Sequence, residues 1–354
     1  MSFCMLALDI IGQACPEFRM FANLVKRLIV VLFVSGVAVA GTGYWYFQEA
    51  LSKPLTFGES IFTIKRGDTL SGISELLLQK GIIREPWSLR LLGRQQGNSN
   101  AIKAGEYELP ETLTLREFYD RIVAGKGQVD MRVTIVEGWT FKLMRQALDG
   151  ADKLVHLTSG LRDEEVMQQL GYPGQHPEGR FYPDTYYYRS GDSDLNILKK
   201  AYSLMQKKLD EAWAQRTPEM LLDSPYEALI LASIIEKETQ LRDEQPEIAG
   251  VLMNRLKKGM RLQTDSTVIY GIGDAYNGDI TRKHLKTDTP YNTYTRGGLI
   301  PTPISLPGEG SLLATVKPAT TRNYYFVAKG GGRHHFSRTL KEHNAAVQKY
   351  IFGK

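Results

Sequence analysis

The sequence predicts an α+β protein with a single N-terminal transmembrane helix, a small module of strands and a helix, and a larger mixed α+β domain. Three observations predict these parts: an uncharged run near the N-terminus, short strand-then-helix units after it, and a later, well-capped apolar helix. With 354 residues, of which 42% are apolar, the chain is long enough for more than one core.

The charge and cysteine content limit the classes of function. A formal net charge of +5 comes from 44 basic and 39 acidic residues spread along the chain. No basic block indicates a nucleic-acid surface, so we predict no nucleic-acid partner. Both cysteines, Cys4 and Cys15, precede Met20, and the rest of the chain has no thiol for a disulfide or a zinc–thiolate site. Residues 1–19 are predicted to be an extension upstream of a start at Met20.

The uncharged run predicts a membrane anchor. Leu28–Phe47 has no charged residue over twenty positions, and a helix of that length spans roughly 30 Å of hydrocarbon. Lys26 and Arg27 precede it, so the positive-inside rule keeps residues 1–27 in the cytoplasm and the bulk of the chain outside. The alternative is a signal peptide cleaved after Ala38-Val39-Ala40, although the apolar run continues past that site.

Two strand-then-helix units follow the anchor. Ile61–Ile64 is strand-like, and a turn leads from it to the periodic stretch Leu70–Leu78. In the second unit Glu106–Leu109 is strand-like, and Thr114 begins a capping box for a helix that ends at Gly125. These units are predicted to form a small α+β module.

The larger domain, residues 131–354, begins with the same pattern. Val133–Val136 precedes Thr140, the predicted N-cap of a helix over Phe141–Leu148, and Gly150 is the stop. Neither this unit nor the two before it supplies a metal cluster or a nucleophile–base pair. The chemistry is therefore expected further along the chain.

The first unit, FTIKRGDTLSGISELL, resembles the opening of a LysM module, a short ββα fold that binds glycans containing N-acetylglucosamine. The step Gly67-Asp68-Thr69-Leu70 carries the resemblance, whereas the asparagine-rich second half of that module is not recognisable. We interpret residues 58–130 as a LysM-like module and linker. The module either binds glycan or is a spacer above the membrane.

The later apolar helix ends in two glutamates. Ser224 opens a capping box with proline at the first helical position, which predicts a helix over Pro225–Glu238. Its apolar residues cover every side, so protein should surround it. Glu236 falls on the face of Leu229, and Glu238 points nearly the opposite way, so spacing alone does not choose between the two carboxyl groups.

A carboxyl group held against apolar walls has a raised pKa and can act as a general acid near neutral pH. Cleavage of a glycosidic bond needs such an acid. The alternative is that both glutamates are solvated or paired with Lys237 and Arg242.

Four segments of the larger domain read LASIIEKET, VLMNRLKKGMRLQTDSTVIYGIG, YNTYTRGGLIPTPI and YYFVAKGGGRHHFSRTLKEHN. Together they closely resemble the YceG-like family of endolytic murein transglycosylases. The resemblance implies a bacterial enzyme of the cytoplasmic (inner) membrane whose catalytic domain lies on the periplasmic side. Such enzymes cut nascent peptidoglycan strands internally, leave a 1,6-anhydro-N-acetylmuramyl end and end glycan polymerisation. It also implies Glu236 as the catalytic residue and cell-wall synthases as partners.

A single carboxyl group suffices for this reaction, because the C6 hydroxyl of the sugar closes onto C1 and no water is activated. Glu236 would protonate the glycosidic oxygen and then accept the hydroxyl proton. No cofactor and no metal are therefore predicted. A hydrolase using Glu236 and Asp265 is one alternative. The other is a non-catalytic scaffold that binds glycan through the LysM-like part.

The remaining motifs would form the substrate groove. Gln263, Thr264 and Asp265 follow the helix stop at Gly259 and can hydrogen-bond sugar hydroxyls and acetamides. Asp265 has a second interpretation, as the N-cap of a helix over Ser266–Tyr270.

Polar and aromatic residues beyond these complete the predicted site. Asn292 and Tyr294 are predicted to contact the polysaccharide, and the aromatic segment 179–191 either lines the cleft or packs as a linker. His334 and His335 would point to opposite faces of a strand, which does not suit a shared metal ion. We interpret these histidines as structural or substrate-contacting.

Overall fold

A computed structural model describes residues 16–98 and 100–353 of the chain. Cys4, Cys15 and most of the predicted upstream extension lie outside the described residues. The chain divides into two compact units between Val129 and Asp130.

The first unit begins with a long helix, α1 (Pro16–Ser52). Within the described residues, Met20–Ser52 is the one helix that is long and apolar enough to cross a membrane. The predicted helix is confirmed, but it continues beyond Phe47. Phe47 and Leu51 are buried in the core of this unit, which explains why the helix persists past the end of the uncharged run.

The rest of the first unit contains four short strands and three helices. They are β1 (Pro54–Thr56), β2 (Ile61–Ile64), α2 (Leu70–Gln79), α3 (Pro86–Gln96), β3 (Gly105–Glu108), β4 (Thr112–Thr114) and α4 (Leu115–Ala124). The pairs β1–β4 and β2–β3 are both antiparallel. Two helices separate β2 from β3 in the chain, so the order β-α-α-β replaces the predicted ββα order.

Threonine caps begin α2 and α4, and the cap and the stop of α4 are the ones predicted. The side chain of Thr69 accepts a hydrogen bond from the amide of Gly72 at the start of α2. Thr114 and Glu117 form a reciprocal capping box at α4, which ends at Gly125 in the left-handed conformation. The sequence did not reveal α3, whose buried residues alternate with arginines and glutamines.

The second unit contains two antiparallel strand pairs and nine helices within the described residues. The strands are β5 (Met131–Thr134), β6 (Thr185–Tyr188), β7 (Tyr325–Gly330) and β8 (Arg333–Ser337). The helices are α5 (Phe141–Asp149), α6 (Asp163–Leu170), α7 (Asp194–Ala214), α8 (Pro225–Glu238), α9 (Gln245–Lys257), α10 (Asp265–Ile272), α11 (Arg282–Lys286), α12 (Glu309–Val316) and α13 (Leu340–Tyr350). Strand β5 pairs with β6, and β7 with β8.

Helix α8 is the centre of the second unit. Ala228–Glu236 are all buried, which confirms that protein surrounds the helix. Ser224 accepts a hydrogen bond from the amide of Glu227, as predicted for an N-cap. The reciprocal half of the capping box differs, because the carboxylate of Glu227 accepts from the amide of Asp223 instead of that of Ser224. Both glutamates, Glu236 and Glu238, lie in the last turn of this helix.

Candidate functional site

A cavity of about 500 Å³ lies at the C-terminal end of α8. Its wall combines Glu238, the segment 262–265 that leads into α10, Tyr294, and strand residues of the β7–β8 hairpin, including His334. Four of the five predicted substrate residues, Gln263, Thr264, Asp265 and Tyr294, therefore line one space. A carboxyl, polar groups and aromatic rings are the side chains that sugar recognition uses.

Glu238 presents the carboxyl group at this cavity. The hydroxyl of Ser266 donates a hydrogen bond of 2.8 Å to its Oε1. Burial raises the pKa of Glu238 to about 7, the Ser266 hydrogen bond opposes that rise, and the negative charge of Asp265 adds to it. The raised pKa keeps this carboxyl group suited to donating a proton and then accepting one.

Asp265 and Tyr294 form a hydrogen-bonded pair in the cavity wall. The hydroxyl of Tyr294 donates to Oδ1 of Asp265 over 2.6 Å. Burial, together with this carboxylate, raises the pKa of Tyr294, so its hydroxyl stays protonated and remains a donor. The predicted N-cap role of Asp265 is wrong by one position, because Thr264 is the N-cap and Asp265 is the first residue of α10.

The segment before α10 is held by a buried arginine that the sequence analysis missed. Nη1 of Arg255 donates to the carbonyl oxygens of Arg261 (3.0 Å) and Leu262 (2.9 Å) and to Oε1 of Gln263 (3.3 Å). Its Nε donates to the carbonyl of Tyr324 over 2.6 Å. One guanidinium group thus ties this segment to the residue that precedes β7.

Gln263 has a backbone φ of +54°, one of two positive-φ residues other than glycine in the described chain. Such a conformation costs free energy for a residue with a Cβ and is found at sites where the surroundings impose it. Here the amide of Gln263 donates to the carbonyl of Thr293. The exposed side chain is turned to the cavity by this backbone.

Thr264 is oriented inward rather than toward solvent. Thr264 is 2% exposed, and its backbone amide donates to Oγ1 of Thr293 over 3.0 Å. Its own hydroxyl lies 3.4 Å from Oγ1 of Thr267. Thr264 therefore forms part of the cavity wall while its hydroxyl is used inside the protein.

Asn292 does not line the cavity, so its predicted contact with substrate is not supported. It is 1% exposed, and its Nδ2 donates to the carbonyl oxygens of His284, Leu285 and Thr287 at 3.1, 3.2 and 2.7 Å. Its Oδ1 accepts from the amide of Tyr294. The amide group is saturated by backbone partners, which gives it the role of fixing the loop that carries Tyr294.

Glu236 lies elsewhere on α8 and is not part of the cavity wall. It is 5% exposed, and its Oε2 accepts from the amide of Gly308 (3.0 Å) and the hydroxyl of Ser311 (2.7 Å). Gly308 is the N-cap of α12, so a negative charge here would face the positive end of that helix. Burial nevertheless raises the pKa of Glu236, with the two hydrogen bonds opposing the rise.

The two histidines contact different neighbours. Nδ1 of His334 lies 3.0 Å from Oε2 of the buried Glu244, which also accepts from the His334 amide. The ring of His335 is instead 5.5 Å from that of Tyr350. The Glu244 carboxylate fixes the orientation of the His334 ring in the cavity wall, a contact that spacing could not predict because 90 residues separate the partners.

The aromatic segment 179–191 is mainly part of the core. Phe181 is fully buried and stacks on Phe141 at 4.8 Å between ring centroids. Tyr186 and Tyr188 are also buried. The interpretation as a packed segment is therefore the one that the geometry supports.

Comparisons with known proteins identify similar chains. Residues 62–349 match the YceG-like family. The chain is 31% identical over 307 residues to an endolytic murein transglycosylase of Bacillus subtilis (strain 168), an alignment that covers 82% of this chain and 84% of that one. It is 22% identical to an endolytic murein transglycosylase of Streptococcus pneumoniae serotype 2, over 93% of this chain and 66% of the relative.

A solved structure is also similar. The crystal structure of a yceG-like protein from Listeria monocytogenes matches with a TM-score of 0.52 and 27% sequence identity. The match covers 83% of this chain and 99% of that chain.

Proposed function

Because the chain belongs to the YceG-like family, we propose that it is an endolytic transglycosylase of murein, the activity for which its relatives are named. Its substrate would be the peptidoglycan strand, cut internally between N-acetylmuramic acid and N-acetylglucosamine. The observation that carries the proposal is the carboxyl group of Glu238, whose pKa is raised by burial to about 7, at the edge of a polar and aromatic cavity.

Glu238 would act first as acid and then as base. Its proton passes to the glycosidic oxygen as the bond from C1 to that oxygen breaks. The resulting carboxylate accepts the proton of the C6 hydroxyl as that oxygen bonds to C1, giving the 1,6-anhydro end. Glu238 returns to its starting state, and neither water nor a cofactor enters the balance.

The surroundings of the two glutamates favour Glu238 over Glu236 for this role. An acid must lie within hydrogen-bond reach of the substrate oxygen. Glu238 lines the cavity, whereas Glu236 does not and its Oε2 accepts from Gly308 and Ser311. Glu236 is better suited to joining α8 to the start of α12. We therefore propose Glu238 as the acid in place of Glu236, the residue that the family resemblance implies.

Gln263, Asp265 and Tyr294 are proposed to bind the sugars. The Gln263 side chain is exposed at the cavity and offers an amide to hydroxyl or acetamide groups. Tyr294 supplies a ring face, which suits the apolar face of a sugar, while its hydroxyl remains on Asp265. His334, held by Glu244, is a further candidate for substrate contact.

A two-carboxylate hydrolase is the second candidate function. It is favoured by one observation, the carboxylate of Asp265 in the same cavity as Glu238. In that reaction Asp265 would activate water or stabilise the cation, and the product would carry a reducing end. The Tyr294 hydrogen bond to Asp265 supports a positioning role instead.

We also propose that α1 anchors the enzyme in the bacterial inner membrane, with the rest of the first unit and the whole second unit on the periplasmic side. The length and apolar character of helix Met20–Ser52 support an anchor, and Lys26 and Arg27, just before its uncharged run Leu28–Phe47, support this topology. Residues 58–130 would form a LysM-like module that binds glycan, and residues 131–354 the catalytic domain. Cell-wall synthases would be the partners whose polymerisation is terminated.

The product identifies the function. The full chain in detergent would be incubated with uncross-linked peptidoglycan, and the fragments analysed by mass spectrometry. We expect 1,6-anhydro-muramyl ends from the wild type and from Asp265→Asn, and none from Glu238→Gln. Reducing ends that disappear with Asp265→Asn would replace this proposal with the hydrolase, and uncleaved strands with every protein would leave a glycan-binding scaffold.

A further inference from the structure

One exposed face of α3 combines aromatic, aliphatic and basic side chains. Trp87 and Leu91 are 38% and 43% exposed. Arg90 and Arg94 follow Trp87 by three and seven residues and so share its side of the helix. We call these four residues the Trp87 face. Apolar rings and leucines beside basic residues are typical of helices that lie in a membrane interface.

The Trp87 face lies next to the end of the apolar run of α1. The ring of Trp87 is 6.0 Å from those of Tyr46 and Phe47, measured between centroids. The hydroxyl of Tyr46 donates to Oε1 of Glu85, just before α3, over 2.9 Å. Since Tyr46 and Phe47 end the uncharged run, Trp87 lies at the depth where the outer headgroups of a bilayer would begin.

No free linker separates α1 from the rest of its unit. Phe47 and Leu51 are buried in the same core as Leu89 and Leu92 on the inner side of α3. Strand β1 then begins two residues after α1 ends. The orientation of α3 relative to α1 is therefore fixed by packing, and the Trp87 face cannot turn away from the plane that α1 crosses.

The arginines of this face are available to an anionic partner. Within the described part of the chain, no ion pair is formed by Arg90 or Arg94, nor by the exposed Arg84 just before the helix. Guanidinium groups bind phosphate oxygens well because their donors match the geometry of the phosphate.

From these observations we propose that the Trp87 face binds the outer surface of a bilayer that contains anionic lipids. Trp87 and Leu91 would enter the headgroup layer, and the arginines would contact lipid phosphates. The proposal rests on the membrane anchor proposed above. It gives the first unit a second attachment to the membrane, which holds that unit flat against the surface.

Spin labels on the full chain in lipid nanodiscs test this contact. In a background of Cys4→Ser and Cys15→Ser, a label at Leu91→Cys would be compared with labels at Leu78→Cys and Val34→Cys. Leu78, 38% exposed, is a comparable leucine on α2, and Val34 lies within the apolar run. Collision rates with oxygen and with a water-soluble nickel chelate report lipid and water exposure.

We expect the label at 91 to collide with oxygen more, and with the nickel chelate less, than the label at 78. The difference should fall when phosphatidylglycerol is omitted or when Arg90→Glu and Arg94→Glu are introduced. If the labels at 91 and 78 collide equally often with the nickel chelate while the label at 34 is in lipid, the inference is overturned but the membrane anchor stands. Protection from both reagents would mean a protein partner and also overturn it. Nickel access at 34 overturns both proposals.

Discussion

The hydroxyl of Ser266, in the first turn of α10, donates a 2.8 Å hydrogen bond to Oε1 of Glu238, in the last turn of α8. Burial raises the pKa of Glu238, the hydrogen bond from Ser266 lowers it, and the negative charge of Asp265 raises it further. Two neighbouring residues of α10 thus shift the pKa of Glu238 in opposite directions. The pH dependence of cleavage should report both effects.

The first prediction concerns the pH profile of kcat/KM. The proposed acid must be protonated, so kcat/KM should fall as pH rises through about 7. Ser266→Ala removes a donor to the carboxylate and should move this fall to higher pH, whereas Asp265→Asn removes a like charge and should move it to lower pH. Rates of strand cleavage between pH 5 and pH 9 would show this (roughly the range over which such a group titrates). Shifts in the same direction for both variants would contradict the assignment.

The second prediction separates the two glutamates of α8. Glu238→Gln removes the proton donor and should lower cleavage by about 10²–10⁴-fold. Glu236→Gln keeps an oxygen that can accept from Gly308 or Ser311, and should retain cleavage within a few-fold of wild type. Initial rates from muropeptide analysis would measure both.

Each variant is the control for the other, because both replace a glutamate by glutamine in the last turn of the same helix. Circular dichroism and thermal unfolding should show that both remain folded. Loss of cleavage with a folded Glu236→Gln, and normal cleavage with Glu238→Gln, would restore the assignment derived from the family resemblance.

Sequence patterns predict the local structure well, but they do not predict which distant residues a side chain contacts. The caps at Ser224, Thr114 and Thr140 involve only neighbouring residues, so the sequence predicts them. The buried state of α8 followed from its apolar residues on all sides. By contrast, the difference between Glu236 and Glu238 depends on Gly308 and Ser266, which spacing within one helix does not reveal.

The substrate residues illustrate the same limit. The motif containing Gln263 and Asp265 was found because the residue types suit sugars, and both line the cavity. Asn292 has an equally suitable side chain, but the carbonyl groups of its own loop occupy it. Arg255 was missed because its partners are mainly backbone carbonyls, which leave no signature in the sequence.

The third prediction concerns Arg255. Lysine cannot donate simultaneously to the segment 261–263 and to the carbonyl of Tyr324, so Arg255→Lys should leave buried carbonyls without donors. We expect the unfolding free energy to fall by about 2–3 kcal/mol, and cleavage to fall because Gln263 loses its support. Denaturant unfolding and initial rates would be measured together. Unchanged stability and unchanged rate would show that the guanidinium contacts are dispensable.

The fourth prediction contrasts a loop residue with a cavity residue. Asn292→Ala deprives three carbonyl oxygens of their donor and should lower the unfolding free energy by about 2–3 kcal/mol. Tyr294→Phe removes only the hydroxyl that donates to Asp265, and should change cleavage and its pH profile more than stability. Thermal unfolding and strand binding would distinguish them. Weaker strand binding by a fully stable Asn292→Ala protein would instead support direct contact with substrate.

The fifth prediction uses a buried carboxyl group outside the cavity wall. Glu178 accepts from the amide of Phe141 (2.9 Å) and the hydroxyl of Tyr270 (3.2 Å), and burial raises its pKa to about 7. Between the unfolded pKa and the folded pKa the folded state holds more protons than the unfolded state. The stabilisation associated with the protonated group is therefore complete below about pH 4 and is lost as pH rises toward 7.

For Glu178 this loss amounts to about 3 kcal/mol. Glu178→Gln cannot titrate, so the unfolding free energy of the wild type minus that of the variant should decrease by about that amount between pH 4 and pH 8. Urea unfolding of both proteins at each pH would give the difference directly, and the common contributions of other groups cancel in it. A difference that is constant with pH, or that increases, would mean that Glu178 is ionised in the folded protein and that its two donors outweigh its burial.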